Sequence, residues 1–468
     1  MASREEFAPS YVLLDRTVRI DREAVRKESD WAIMECTDWK AYGCDGSCNR
    51  NDVENASRMK GLVLLARLAE PPNLSEISVR LAPAVPKAKQ PTSFPPGTAL
   101  LPIFDLPEGP ENLPTHVEAA GDGLIVLNSR FADGSRYYLV YDAISKSLSM
   151  VAGLPDPCRT YCSMRPLPVR GSAGYSLRSR VGTYTYTLAL VAKDWEFNME
   201  TGEYDYRNVL CLWSPRPFSI PSPCTIRSSY YDTPWQFKNA LFPSEMPGSF
   251  HADKVFSSGG MCFWADLAQG PLFCRCEDVL SDGNDVQFFH IQLPPECRLD
   301  LMFHLRGDLE LCRTMSCEGD SIKFVCVSAE PRTGHPGDST VTMWTLSLAT
   351  EQWLKDGELQ VASLWEMEGF KNARLPRSIP VCPILIPNED DGVLSFMLNE
   401  AGDELYMVTI NMHSKRFLSA ITLSPCPDDE VVPPLGFDLS KHIQDLSLHP
   451  IRDEGCPIAT KRKLSSLN

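Results

Sequence analysis

GGMCFWADLAQGPLFCRCEDVLSDGNDVQFFHIQLPPE, residues 259–296, is the stretch on which the reading of the fold turns. Two glycines open an apolar run through Leu267, and Ala268, Gln269 and Gly270 form a turn. A second apolar run leads into an acidic, glycine-containing loop, and a third, VQFFHIQLP (286–294), closes on Leu-Pro. Short apolar and aromatic runs divided by Gly, Asp and Asn are what antiparallel strands require. Side chains alternate faces with a period of two, and the turn residues supply backbone shapes that strands cannot adopt. On the first run Trp264 and Asp266 share a face, and Gly270 makes the reversal.

The same pattern continues on both sides. GLIVLNS (123–129) precedes RYYLVYDA (136–143), and YTYTLALVA (184–192) precedes YRNVLCLWS (206–214). LDLMFHL, LELCRTM and SIKFVCVS occupy 299–328, and VTMWTLSLA, ELQVASLWEM, PILIP, GVLSFML, ELYMVTI and RFLSAITL carry the pattern to 423. EQWLKDG (351–357) reads as a helical turn or a β-turn between strands. The clearest copies of the unit begin near Gly123, Gly259 and Gly392, with weaker ones near Tyr184, Gly307 and Val341. A small antiparallel sheet cannot bury both faces alone, whereas radial stacking buries both and leaves only short edges. The expectation is an all-β, β-propeller-like chain of about six small antiparallel blades, with minor helical and loop content towards the N-terminus. A β-sandwich pair or one large barrel is the alternative.

The propeller-like body is expected over 98–425, around the 259–295 segment. A proline-dense linker, 83–97, separates it from an N-terminal section, 1–82, whose strands are placed to complete the propeller. Residues 426–468 read as a C-terminal tail.

The chain has 468 residues, 43 % of them hydrophobic, and a formal charge of −16, the balance of a folded chain with little affinity for nucleic acid or anionic membrane. MASREEFAPSYVLLD lacks the apolar core of a signal peptide, and no window approaches a membrane span. Cytoplasm or nucleus is therefore expected, with Lys461, Arg462 and Lys463 a weak import-like patch. The 17 cysteines then read as reduced thiols filling cores. Cys274 and Cys276 alternate, so on a strand both would face the core. The weak metal candidates are Cys36, Cys44 and Cys48, spaced C-x7-C-x3-C, with a lone C-x3-C at Cys158 and Cys162. Structural zinc wants four ligands in matched pairs, and the spacing does not require them here.

Familiar catalytic spacings are missing. RGSAGY (170–175) and FSSGG (256–260) are not nucleophile elbows, and there is no H-E-x-x-H and no phosphate-binding loop. His251 and Asp253 read as an ordinary hydrogen-bonded pair, and His290 as a satisfied core or edge histidine. Asp278, Asp282, Asn284 and Asp285, like Glu389, Asp390 and Asp391, hold oxygens of the kind calcium takes. Neither run fits a calcium loop, and turn formation explains both. Most tryptophans should be structural, with one or two left to anchor a partner.

Trp264, Asp266, Leu267, Gly270, Leu272, Phe273, Cys274, Leu293 and Pro294 together closely resemble the signature of plant proteins, numerous in grasses, that carry the domain of unknown function 1618. PSYVLLDR (9–16) and VTMWTLSL…EQWLKDGEL…LW (341–365) also look like family segments. Arg275 stands where members often have Asp. The resemblance implies a module like the propellers associated with F-box proteins, without an evident F-box here, and it implies no activity. Trp264, Asp266, Leu267, Gly270, Phe273, Cys274 and Pro294 are accordingly expected to be structural. The leading functional expectation is a non-enzymatic scaffold for a protein partner, with no cofactor. The alternatives are an enzyme or small-ligand binder using convergent Asp, His and Cys at the propeller channel, and metal-linked sensing through Cys36, Cys44 and Cys48.

Overall fold

In the computed structural model, the structure describes residues 11–20, 31–42, 62–69, 73–80, 115–121, 123–130, 136–154, 159–160, 165–170, 186–215, 235–246, 250–299, 309–318, 321–328, 335–386, 392–399, 404–423, 434–438 and 448–450. The linker 83–97, Cys44, Cys48, Cys158, Cys162, Glu389–Asp391 and Lys461–Lys463 lie outside them.

Six sheets, arranged as a six-bladed β-propeller, account for the strands. Blade 1 runs from Leu435–Asp438 through Tyr11–Leu14, Leu74–Arg80, Val63–Arg67 and Ala32–Met34 to Leu448–Pro450. It therefore joins strands from near both ends of the chain, Tyr11–Leu14 pairing antiparallel with Leu435–Asp438. Blade 2 is Thr115–Gly121, Leu124–Arg130, Arg136–Asp142 and Ser147–Ala152, with Asp38–Tyr42 added in parallel on the far edge. Blade 3 is built on Leu167–Arg170, Tyr186–Asn198, Glu203–Trp213 and Gln236–Leu241. Blade 4 is Lys254–Ser258, Met261–Asp266, Gly270–Arg275 and Phe289–His290. Blades 5 and 6 are four-stranded meanders over Arg313–Gln360 and Val381–Leu423.

The leading strands of successive blades touch one another around a closed circuit: Leu435–Asp438, Thr115–Gly121, Leu167–Arg170, Lys254–Ser258, Arg313–Glu318 and Val381–Leu385. The apolar cores lie between blades and follow the same circuit. Ile125, Leu127, Leu139 and Tyr141 of blade 2 pack towards blade 1, while Val126, Tyr138 and Val140 pack towards blade 3. In blade 4, Cys262, Trp264, Leu272 and Cys274 face blade 3, whereas Phe263, Ala265, Leu267 and Phe273 face blade 5. A core of Leu13 with Cys382, Ile384, Val393 and Met397 joins blade 6 to blade 1. Period-two alternation with both faces buried explains why the strands read as continuous apolar runs.

Three strand readings are corrected. ELQVASLWEM breaks after Gln360 into a helix, Val361–Glu366, because Val361, Leu364 and Trp365 fall at helical spacing and are buried together. PLFCRCEDVL ends as a strand at Arg275, and Cys276–Leu280 is helical, with only Val279 fully buried. Leu309–Cys312 likewise makes one helical turn before Arg313–Glu318. No helix among the described residues is long and apolar enough to cross a membrane.

Candidate functional site

Side chains from all six blades meet where the leading strands converge. Arg16 follows Tyr11–Leu14 and is held against blade 2, where Val117 N–H donates to its carbonyl at 2.8 Å. Glu118 sits at a register shift between Val117 and Ala119, a bulge that re-aims one side chain. Arg165 precedes Leu167–Arg170, Lys254 opens its strand, and Glu310 lies on the helical turn Leu309–Cys312. Cys382, from blade 6, occupies another irregularity with φ of 52°, a conformation rare for a non-glycine residue.

Glu310 is the hub of this cluster. Its carboxylate accepts from Arg16 Nη1 at 3.2 Å, from Lys254 Nζ at 3.0 Å and from Arg165 Nη2. Burial alone would raise its pKa, but Lys254, Arg165 and Arg16 together outweigh burial and bring it down to about 2. Glu118 takes the opposite course: burial pushes it up, against the opposing pull of its Asn128 hydrogen bond and the two arginines. Its Oε1 accepts from Asn128 at 3.0 Å, while Oε2 lies 3.9 Å from Arg16 Nη2 and 3.8 Å from Arg165 Nε, beyond hydrogen-bond reach. Burial lowers Lys254 and, with repulsion from Arg165, Arg16, and it pushes the Cys382 thiol up to about 12. The cluster ties blades together through charge, with its most strongly ionised carboxylate committed to three cations.

Arg16, Glu118, Arg165, Lys254 and Glu310 are not legible as a site in the sequence, because Arg16 and Glu310 stand 294 positions apart. Arg16 does end PSYVLLDR and Lys254 does end HADK, so a charge at the mouth of an apolar strand was the available signal. The structure places the expected candidates elsewhere. His251 Nδ1 lies 3.0 Å from Asp253 Oδ1, and the buried Asp253 also accepts from Leu267 N–H at 2.8 Å. His290 keeps its Nε2 buried without a hydrogen-bond partner, and burial, then Arg298, lowers its pKa to about 4. Cys36 is exposed, with its thiol 3.2 Å from the Asp38 carbonyl. Among the described residues no group of three or more His, Cys, Asp or Glu is placed to hold a metal ion. The acidic loop after Cys276 organises its carbonyls around a lysine instead: Lys238 Nζ donates to Asp278, Val279 and Ser281 carbonyls at 2.8, 3.0 and 2.7 Å.

The 259–296 segment forms a tightly bonded turn. Asp266 Oδ2 accepts from His251 N–H at 2.7 Å, and Oδ1 accepts from Ala268 and Gln269 N–H at 2.8 and 3.1 Å. Gly270 has φ of +125°, and a Cβ there would stand 2.1 Å from the Ile291 carbonyl oxygen. Leu293 N–H donates to Gln269 O at 2.9 Å, so the closing Leu293-Pro294 lies directly on the turn. Trp264, Leu267 and Cys274 are buried, Trp264 tilted against Phe288 at 5.6 Å.

Among the described residues, one element extends past its sheet. Leu188–Asn198 and Glu203–Trp213 pair throughout, but Leu167–Arg170 and Arg159–Thr160 cover only Tyr186–Ala189 and Ala192–Lys193 on one side, and Gln236–Leu241 covers only Val209–Leu212 on the other. From Asp194↔Arg207 to Asn198↔Glu203 the two strands pair only with each other among the described residues, forming a projecting ribbon. Its tip presents Met199, 86 % exposed, and nearer its base Tyr206, opposite Trp195, is 63 % exposed. Residues 193–208 hold five acidic against two basic side chains, with Arg207 bridging Asp194 at 2.8 Å. The sequence reading stops its strands at 192 and 206, although KDWEFNMETGEYDYRN alternates aromatic and polar residues about a Thr-Gly turn.

Among solved structures, the chain is similar to a triple arginine-to-alanine mutant of AofleA from Arthrobotrys oligospora, with 10 % identity, 92 % of this chain and 91 % of that chain covered, and a TM-score of 0.32. A putative 6-phosphogluconolactonase from Bacteroides fragilis gives 8 % identity, coverage of 68 % and 84 %, and a TM-score of 0.27. The WD40 domain of SCAP from fission yeast gives 7 % identity, coverage of 68 % and 78 %, and a TM-score of 0.27. No curated protein matches the sequence. Residues 264–394, which begin at Trp264, match the family described as Protein of unknown function (DUF1618).

Proposed function

We propose that this protein is a non-enzymatic docking scaffold, a propeller body that presents the Asp194–Arg207 ribbon to a basic protein segment. The observation that carries this reading is the ribbon itself. It extends beyond its sheet, bears a large apolar side chain at 86 % exposure and an aromatic at 63 %, and is acidic overall. Exposed aromatic and methionine side chains are favoured contact residues, and strand edges without a partner accept an added strand. Charge complementarity makes an extended Lys/Arg-rich segment the matching partner. The alternative of an enzyme at the channel has less support, because the groups converging there are ion-paired across blades and Glu310 is held by three cations.

The test is binding of basic peptides to the full chain, compared with a Met199→Ser/Tyr206→Ser variant. Saturable binding that weakens with salt and falls at least about tenfold in the variant is expected, a loss of about 1.4 kcal/mol. Equal binding by the variant, with circular dichroism unchanged, would remove the ribbon from the function.

A further inference from the structure

Blade 4 carries three thiols on one face. Cys262 and Cys274 are direct cross-strand partners, both buried, and Cys276 begins the helix Cys276–Leu280 where the second strand ends. Cys276 N–H donates to the Gly260 carbonyl at 2.8 Å, which draws the start of the helix back over the first strand. The Cys276 sulfur consequently lies 3.1 Å from that of Cys262. Cys276 is half-buried, so it is the member of the group that solvent reaches.

We propose that Cys262 and Cys276 are a peroxide-oxidisable dithiol, with Cys276 the attacked thiol and Cys262 the resolving one. In the first step the Cys276 thiolate attacks a hydroperoxide oxygen; the O–O bond breaks, an alkoxide or hydroxide leaves, and Cys276 becomes a sulfenic acid. In the second step the Cys262 sulfur attacks the Cys276 sulfur, its proton leaves with the departing hydroxide as water, and the disulfide forms. Two thiols lose two electrons and two protons, and the hydroperoxide is reduced to water or to an alcohol and water. The sulfurs must close from 3.1 Å to a bond of about 2.05 Å, a movement that the short terminal helix can supply without breaking the sheet.

The order of the two residues follows from their surroundings. Hydrogen bonds to Cys274 and Cys276, then burial, push the Cys262 thiol well up, so Cys262 keeps its proton while the Cys276 sulfur is attacked. The competing thiol is Cys326, brought down to about 7 by Cys297, and by Arg313 against burial. Cys326 and Cys297 are both buried between blades 4 and 5, where peroxide has poorer access than at Cys276.

The bond would fix the helix Cys276–Leu280 to its sheet. The same helix presents the Asp278 and Val279 carbonyls to Lys238 of blade 3, so oxidation would stiffen the joint between blades 3 and 4. The test is equimolar hydrogen peroxide added to the reduced full-length chain, followed by peptide mapping without reduction. A Cys262–Cys276 disulfide is expected as the first oxidation product, with two thiols lost per chain and full recovery on addition of dithiothreitol. In Cys262→Ser, a sulfenic acid trapped by dimedone at Cys276 is expected in place of the disulfide. A Cys297–Cys326 disulfide formed first, or Cys276 unmodified while other thiols oxidise, would overturn the proposal. The wild-type map decides between these results even where a serine variant fails to fold.

Discussion

Lys238 shows how one side chain settles a question that its loop raises. Its ammonium holds the carbonyls of Asp278, Val279 and Ser281, the place where an acidic loop invites a cation from solution. Removing the ammonium in Lys238→Met takes the donor from the buried Val279 carbonyl and from the Asp278 and Ser281 carbonyls, and a loss of about 1–3 kcal/mol in urea unfolding is expected. His290 gives a second residue-scale prediction. Its pKa falls from 6.5 to about 4 because burial, then Arg298, disfavours the imidazolium, so the unfolded chain binds the proton more readily. Its contribution to stability is therefore present above pH 6.5 and is lost as pH falls towards about 4. His290→Phe should flatten that part of the pH–stability curve, as measured by urea midpoints at successive pH values. Neither partner set was legible beforehand, since Lys238 belongs to no motif and the Asp278–Asp285 run reads as turn-forming residues.

Elements were more legible than their contacts. The hairpin around Ala268–Gly270 follows directly from its residues, because alternation and a turn glycine are local properties. What the glycine must avoid is not local: the Ile291 carbonyl lies 2.1 Å from where a Cβ would stand. Gly270→Ala should cost on the order of 4 kcal/mol or abolish folding, read as the midpoint of urea unfolding, because the obstacle is backbone and the φ is positive. The helix Val361–Glu366 escaped the strand reading because its apolar residues fit either period over so short a span, and tertiary burial of Val361, Leu364 and Trp365 decides it. The ribbon beyond Lys193 was missed for another reason. Its alternation marks a strand, but only the absence of covering strands among the described residues distinguishes a projecting ribbon from a blade.

At the scale of the whole molecule, the propeller and its number of blades were legible from recurring strand units, but the units near Gly307 and Val341 fall together in blade 5, and the C-terminal share of blade 1 was not legible. Residues after 425 read as a tail, yet Leu435–Asp438 pairs with Tyr11–Leu14 across more than 400 positions. Such pairing rewards burial between the first and last blades, as in the Leu13–Cys382 core, and no local pattern announces it. The charged hub has the same origin. Glu310→Gln leaves Arg16, Arg165 and Lys254 without their shared anion, and a loss of about 3–5 kcal/mol is expected in urea unfolding. The stabilisation tied to Glu310 ionisation is present above its ordinary pKa of 4.5 and is lost as pH falls towards about 2. The proposed docking role rests on the contrast between this tied interior and the projecting ribbon. Amide hydrogen exchange of the full chain, with and without a bound Lys/Arg-rich peptide, tests that contrast most directly. Protection confined to 194–207 is predicted, with Lys254–Ser258 and Arg313–Glu318 unchanged. Protection at those two strands with the ribbon unchanged would contradict it and place the binding site at the channel.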